Sequence, residues 1–213
     1  MQVFGSHFGD IRIYSNVYTG VGNTSSPINE FDPMNKEIYV GESIKWNNPT
    51  AGKPYPHTVT FFSNESNNVI RSKISNITRS FNSSNTESLI ENMNKWMLAL
   101  GNGDGSRTNT FNARSILLPS VINSSQSTIY YLDPSGNHVF KGAMYNMSRT
   151  ESYLNSGLIW AGGDIPGNFS KIYSFTVTFK NTGTYNYQCL LHPGMKGTVV
   201  VKPNPGILGI NVN

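Results

Sequence analysis

The chain has one cysteine in 213 residues. A single thiol excludes an internal disulfide, and it excludes metal sites that need two or four cysteines from one chain. Four histidines are too few for several histidine-rich metal centres. Charge is scarce as well: only 13% of the residues are Asp, Glu, Lys or Arg, which disfavours long charged helices. The 16 Lys+Arg and 12 Asp+Glu leave a net charge of +4. There is no run of like charge and so no nucleic-acid footprint, and the surplus fits solubility and a preference for an acidic partner. No apolar run reaches the roughly 18 residues of a membrane span. Met1-Gln2-Val3-Phe4-Gly5 lacks the basic and apolar regions of a signal peptide. Asn-x-Ser/Thr sequons nevertheless recur at Asn23, Asn64, Asn76, Asn82, Asn123, Asn146 and Asn168, which leans toward export. The expectation is an extracytoplasmic protein, periplasmic, cell-surface or secreted, in a mature form whose export signal has been cut away.

What the chain has in quantity is Asn, Ser, Thr and Gly, with 37% hydrophobic residues. That composition suits many short strands joined by turns. The length suits one large all-β domain or two small ones, with a sizeable core. Period-2 patterning marks strands at 11–21, 37–40, 43–46, 57–61, 173–179, 185–189 and 198–201. Residues 20–33 read as a turn-rich connection and 47–54 as a loop. The span 63–170 differs in texture, being rich in Ser and Asn. Within it, Ser88-Leu89-Ile90-Glu91 resembles a capping box and predicts a helix over 88–100. Gly101 to Gly105 follows as a tight loop. Ser115 to Val121 reads as a strand, 128–140 as a hairpin turned at 133–137, and Trp160 to Gly167 as loop.

The cysteine lies in Tyr185-Asn186-Tyr187-Gln188-Cys189-Leu190-Leu191-His192-Pro193-Gly194-Met195. A histidine follows at three residues and a methionine three after that. Thiolate, imidazole and thioether on one short turn form a soft ligand set, and one more histidine would complete the His₂Cys set with a weak axial Met that suits type 1 copper. Tyr185, Tyr187 and Cys189 share the inward face of a strand. On the strand His57-Thr58-Val59-Thr60-Phe61, His57, Val59 and Phe61 share the core face. His57 is therefore a candidate fourth ligand. Thr58 is placed to hydrogen-bond across to the Cys189 loop, and Pro193 stiffens that loop.

The segment from Gly183 to Val201 resembles the copper-loop region of plastocyanin-like cupredoxins, and its short Cys-x-x-His-x-x-Met loop looks most like that of the amicyanins. Val40 to Asn47 and Pro56 to Phe61 are similar to the family's strand before the first ligand and its first-ligand strand. The resemblance implies one type 1 copper ion, cycling between Cu(II) and Cu(I) and held by His57, Cys189, His192 and Met195. It also implies an all-β, Greek-key β-sandwich whose activity is one-electron transfer between redox partner proteins, not enzymatic turnover. On this pattern 1–203 is a single domain with its core at 1–62 and 171–203. The span 63–170 is then a long insertion containing one helix and a hairpin, and 204–213 is a C-terminal tail. Electrons would pass through the edge of His192, with Leu190, Leu191, Pro193 and Gly194 as an apolar docking patch that Pro54, Tyr55 and Pro56 extend.

Other features have plainer explanations. His7 and His138 have no ligand-spaced companions and read as surface histidines. Met144 and Met147 read as packing residues. The Asp104 loop lacks the carboxylate series of a calcium site, and nothing resembles a nucleophile elbow. Two alternative functions stay open: small-molecule copper redox chemistry at an open axial position, and a non-redox cell-surface binding module with 63–170 as its recognition part.

Overall fold

The structure is a computed structural model and describes residues 14–23, 26–48, 56–63, 67–78, 107–108, 114–124, 128–132, 143–160, 173–192 and 194–205. The elements among them, in chain order, are β1 (Tyr14–Asn23), β2 (Ser26–Asp32), β3 (Asn35–Tyr39), β4 (Ser43–Asn47), β5 (Thr60–Phe62), α1 (Asn67–Thr78), β6 (Arg107–Thr108), α2 (Arg114–Leu117), β7 (Pro119–Asn123), β8 (Ile129–Tyr131), β9 (Ala143–Met147), β10 (Glu151–Ser156), β11 (Ser174–Phe179), β12 (Gly183–Gln188) and β13 (Lys196–Lys202).

They form two sheets. One has the order β2-β1-β4-β11-β9, the other β3-β13-β12-β5-β10-β7-β8-β6. The pairs β1/β4, β3/β13 and β9/β11 are parallel. Parallel neighbours cannot be joined by a tight hairpin, so the chain passes through the other sheet between them: β3 lies between β1 and β4 in sequence. The strand pattern predicts the all-β class and the resemblance implies a β-sandwich, and the two sheets agree with both.

Strand alternation supplies the inner faces. Ile44 and Trp46 of β4, Phe175, Val177 and Phe179 of β11, and Tyr185 and Tyr187 of β12 are all buried in one cluster. Trp46 sets its ring edge-on to Phe61 at 5.7 Å and to Tyr187 at 5.2 Å between centroids. Such pairs add about 0.5–1.5 kcal/mol each beyond their buried area.

Several local expectations are corrected. Residues 20–33 are no bare connection, because β1 runs to Asn23 and returns as β2. Their Gly, Asn, Ser and Pro signals suggest turns, but β2 is an edge strand, where Pro27 interrupts no central ladder. The strand expected from Ser115 begins only at Pro119, after the short α2. Helix α1 lies in a stretch whose Ser and Asn obscure it; its Ile70 and Ile74, at i and i+4, pack inward. The helix expected over 88–100, the loop at 101–105 and the second arm of the hairpin at 138–140 lie outside the described residues. The first arm is present as β8, paired to β7 and β6.

The span 63–170 is woven into both sheets. Its β9 lies beside β11 and its β10 beside β5. Strand β10, Glu-Ser-Tyr-Leu-Asn-Ser, is buried at every position. Its polar side chains are inside because they have partners: Tyr153 Oη donates to Ser115 O at 2.7 Å and Ser152 Oγ to Ile122 O at 3.1 Å.

Candidate metal centre

Strand β5 is held between β12 on one side and β10 on the other. Just before it, His57 forms an isolated bridge with Ile159: His57 N–H donates to Ile159 O at 3.1 Å, and Ile159 N–H to His57 O at 2.7 Å. His57 is 1% exposed. The inward alternation expected for His57, Val59 and Phe61 holds, but Thr58 and Thr60 are buried too, and Thr60 Oγ1 donates to Asn155 Oδ1 of the neighbouring β10 at 2.9 Å.

Cys189 follows β12 and is buried. The chain then turns back into β13. Cys189 N–H donates to Met195 O at 3.0 Å and Met195 N–H to His192 O at 3.1 Å, which closes the loop. Gly194 supports the turn with φ +95°, a conformation that suits glycine. Met195 is 2% exposed and lies in the same core cluster as Cys189.

The tertiary structure brings three predicted residues together. One ligand atom each from His57, Cys189 and His192 lie within 4.8 Å of one another. Cys189 Sγ is 3.5 Å from His192 Nδ1, and the two imidazole centroids are 4.8 Å apart. His57 Nδ1 is buried with no hydrogen-bond partner among the described residues. A buried ring nitrogen of this kind is costly unless something accepts its lone pair, and a soft cation between two imidazoles and a thiolate would do so. Burial, and then the nearby His192, hold the His57 pKa down at about 3. Burial holds that of His192 down at about 4. Both rings are thus neutral at pH 7, the form that binds metal. Burial pushes the Cys189 thiol up, while N–H groups of Thr58, Leu191 and His192 favour its thiolate. The donor set fits a copper ion.

Thr58 braces the loop as expected. Its N–H donates to Cys189 Sγ at 3.4 Å, and its Oγ1 accepts the Leu190 N–H at 2.8 Å. The docking patch is corrected at two positions, Leu190 and Pro56: both are buried, Leu190 in one cluster with Ile74, Ile116 and Tyr153, so neither offers outer surface. Leu191 and His192 are partly exposed and Gly194 is exposed. Pro193, Pro54 and Tyr55 lie outside the described residues, as do His7, His138 and the Asp104 loop, and Pro56 is buried. Met147 is buried in the core and Met144 is 53% exposed.

Sequence reasoning missed Gly20. It sits at a register shift in β1 with φ +79°, and a Cβ built on it would lie 2.5 Å from His57 Nε2. Its only sequence signal is a glycine in turn-like company. Gly20→Ala is expected to lose about 1–2 kcal/mol from the left-handed backbone alone. The methyl group also displaces the His57 ring, so copper affinity falls with stability. Chemical denaturation and a copper titration check this; unchanged affinity would contradict it.

No protein-family model and no curated protein sequence matches the chain. Among solved structures, similar chains include an amicyanin variant in its Cu(I) form, with 14% identity over 88% of this chain and 80% of that one, TM-score 0.36. Auracyanin A, a "blue" copper protein from the green thermophilic photosynthetic bacterium Chloroflexus aurantiacus, has 14% identity over 89% of this chain and 98% of that one, TM-score 0.36. A purple cupredoxin from Nitrosopumilus maritimus has 15% identity over 88% and 99%, TM-score 0.33. Strand β4 lies between β1 and β11, β13 between β3 and β12, and β5 beside β12. The two histidines and the cysteine are gathered beside β5 and β12 of this two-sheet all-β sandwich.

Proposed function

We propose that this protein is a type 1 copper protein that carries single electrons between redox partners, with His57, Cys189, His192 and Met195 as its ligands. The observation that carries the proposal is the gathering of His57, Cys189 and His192 donors within 4.8 Å, with a buried Nδ1 of His57 that has no hydrogen-bond partner among the described residues. Copper bound there would supply a Cu(II)/Cu(I) couple.

The chain's own residues account for the rest. His57 is held at both ends of its peptide by Ile159, and the Cys189 loop is closed by its own backbone and by Thr58. Little can rearrange when charge changes, which favours fast electron exchange. His192 is partly exposed and is the natural exit for the electron. The net charge of +4 suits partners with acidic docking faces. The sequons suit a location outside the cytoplasm, and no helix among the described residues is long and apolar enough to cross a membrane.

The test is a copper titration of the purified protein, followed by absorption, paramagnetic resonance and voltammetry. The expected result is one copper per chain, an intense visible thiolate-to-copper band and a reversible one-electron wave. Copper binding without the band would end the proposal.

A further inference from the structure

The side of Thr58 away from the metal centre leads into the span 63–170. The Thr60 hydroxyl has one proton and two acceptors in reach: Asn155 Oδ1 at 2.9 Å and Thr58 Oγ1 at 3.3 Å. The Asn155 side chain has only one workable orientation. Its amide nitrogen faces the carbonyls of Ser115 at 3.1 Å, Ile116 at 2.9 Å and Leu118 at 3.4 Å. Turned over, it would set its oxygen against three carbonyls. Oδ1 therefore points to Thr60. Thr58 Oγ1 in turn accepts the Leu190 N–H at 2.8 Å, and its hydroxyl lies 3.9 Å from Cys189 Sγ. Thr58, Thr60, Ser115 and Asn155 are each 0% exposed, so water does not compete along this chain of bonds. An apolar contact runs in parallel: Leu190 packs with Ile74, Ile116 and Tyr153, all from 63–170.

We propose that the span 63–170 tunes the Cys189 centre through Asn155, Thr60 and Thr58. Asn155 is a positioning residue that acts on the metal centre without touching it. Its Oδ1 competes with Thr58 Oγ1 for the single Thr60 proton; the sharing of that proton, together with the Leu190 amide, sets the hydrogen bonding of Thr58 Oγ1, and Thr58 in turn meets the sulphur. The redox consequence rests on the copper reading above, whereas the hydrogen-bond relay does not.

Thr60→Val removes the middle hydroxyl at nearly constant volume. In the metal-free protein, amide exchange at Leu190 is expected to become about two- to tenfold faster, the equivalent of one ordinary hydrogen bond. Amides of β11 should keep their rates. In the copper-loaded protein the visible band and the reduction potential shift, and Thr60→Ser restores both. Thr60→Ala is read in the same way if the valine variant does not fold. If Thr60→Val leaves Leu190 exchange, band and potential unchanged while Thr58→Val alters them, the relay ends at Thr58 and the proposal is overturned. If the native protein binds copper without a thiolate band, the copper reading falls, and Leu190 exchange alone then decides the relay: faster exchange supports it and unchanged exchange overturns it.

Discussion

Cys189→Ser is expected to abolish the visible thiolate-to-copper band completely while leaving the fold in place. Cys189 is the chain's one sulphur able to ionise, and a serine hydroxyl stays protonated under the same conditions. The two imidazoles remain, so weak copper binding persists, but without the covalent thiolate bond on which the band depends. The substitution is small and the site is already polar: Thr58 N–H points at the sulphur from 3.4 Å and can donate to a serine oxygen instead. Stability should therefore change by no more than about 1–2 kcal/mol, within the usual range for a point substitution. Circular dichroism and thermal melting of the metal-free variant check the fold, and absorption of the copper-loaded variant checks the chemistry. A serine variant that kept the band would place the copper elsewhere.

Removal of residues 63–170 is expected to destroy cooperative folding, even though the proposed ligand residues all lie outside the deleted span. Leu154 and Ile159 are 0% exposed, and Val121 and Met147 are 6% and 4% exposed, all inside the main core cluster. Full burial of such a side chain is worth about 1.5–3 kcal/mol, and a domain's whole net stability is about 5–15 kcal/mol. Losing these four alone is comparable with the total. The deletion also strips β10 from the edge of β5 and β9 from the edge of β11. It removes Ile159, whose backbone holds both peptide groups of His57, and Ser156, whose Oγ accepts the Val59 N–H at 2.8 Å. The first-ligand strand would keep only β12 as a neighbour. The expected melt is broad and non-cooperative, with copper bound loosely and without the band. A sharp transition and an intact band in the deleted chain would mean that the remaining sandwich is self-sufficient.

The core strands could be read from the sequence because their polarity alternates. Phe175, Val177 and Phe179 are buried as their spacing requires, and so are Tyr185, Tyr187 and Cys189. Strand β10 could not be read in this way. Glu151, Ser152, Asn155 and Ser156 are buried; Glu151 is met locally by Tyr145 Oη and Ser148, but the other three have partners far along the chain, such as the carbonyls of 115–118 for Asn155. A pattern that equates polar with exposed passes over such a strand. Gly20 is hidden for a related reason: what matters there is the absence of a Cβ beside a ring 37 positions away.

The sequence by itself determined the types of the proposed ligands and put three of them on one turn. Cys189, His192 and Met195 are bound to one turn by covalent spacing, and the periodicity of 57–61 turns His57 inward. Only the tertiary structure decided what surrounds that turn. It set His57 beside Cys189 across two hydrogen-bonded strands, opened the bulge at Gly20 for its ring, and drew Leu190 away from the surface into a cluster with Ile74 and Tyr153. It also joined 63–170 to both sheets. The reason is that backbone periodicity is local and written in neighbouring residues, whereas hydrogen bonding and packing between distant segments depend on where the folded chain places them.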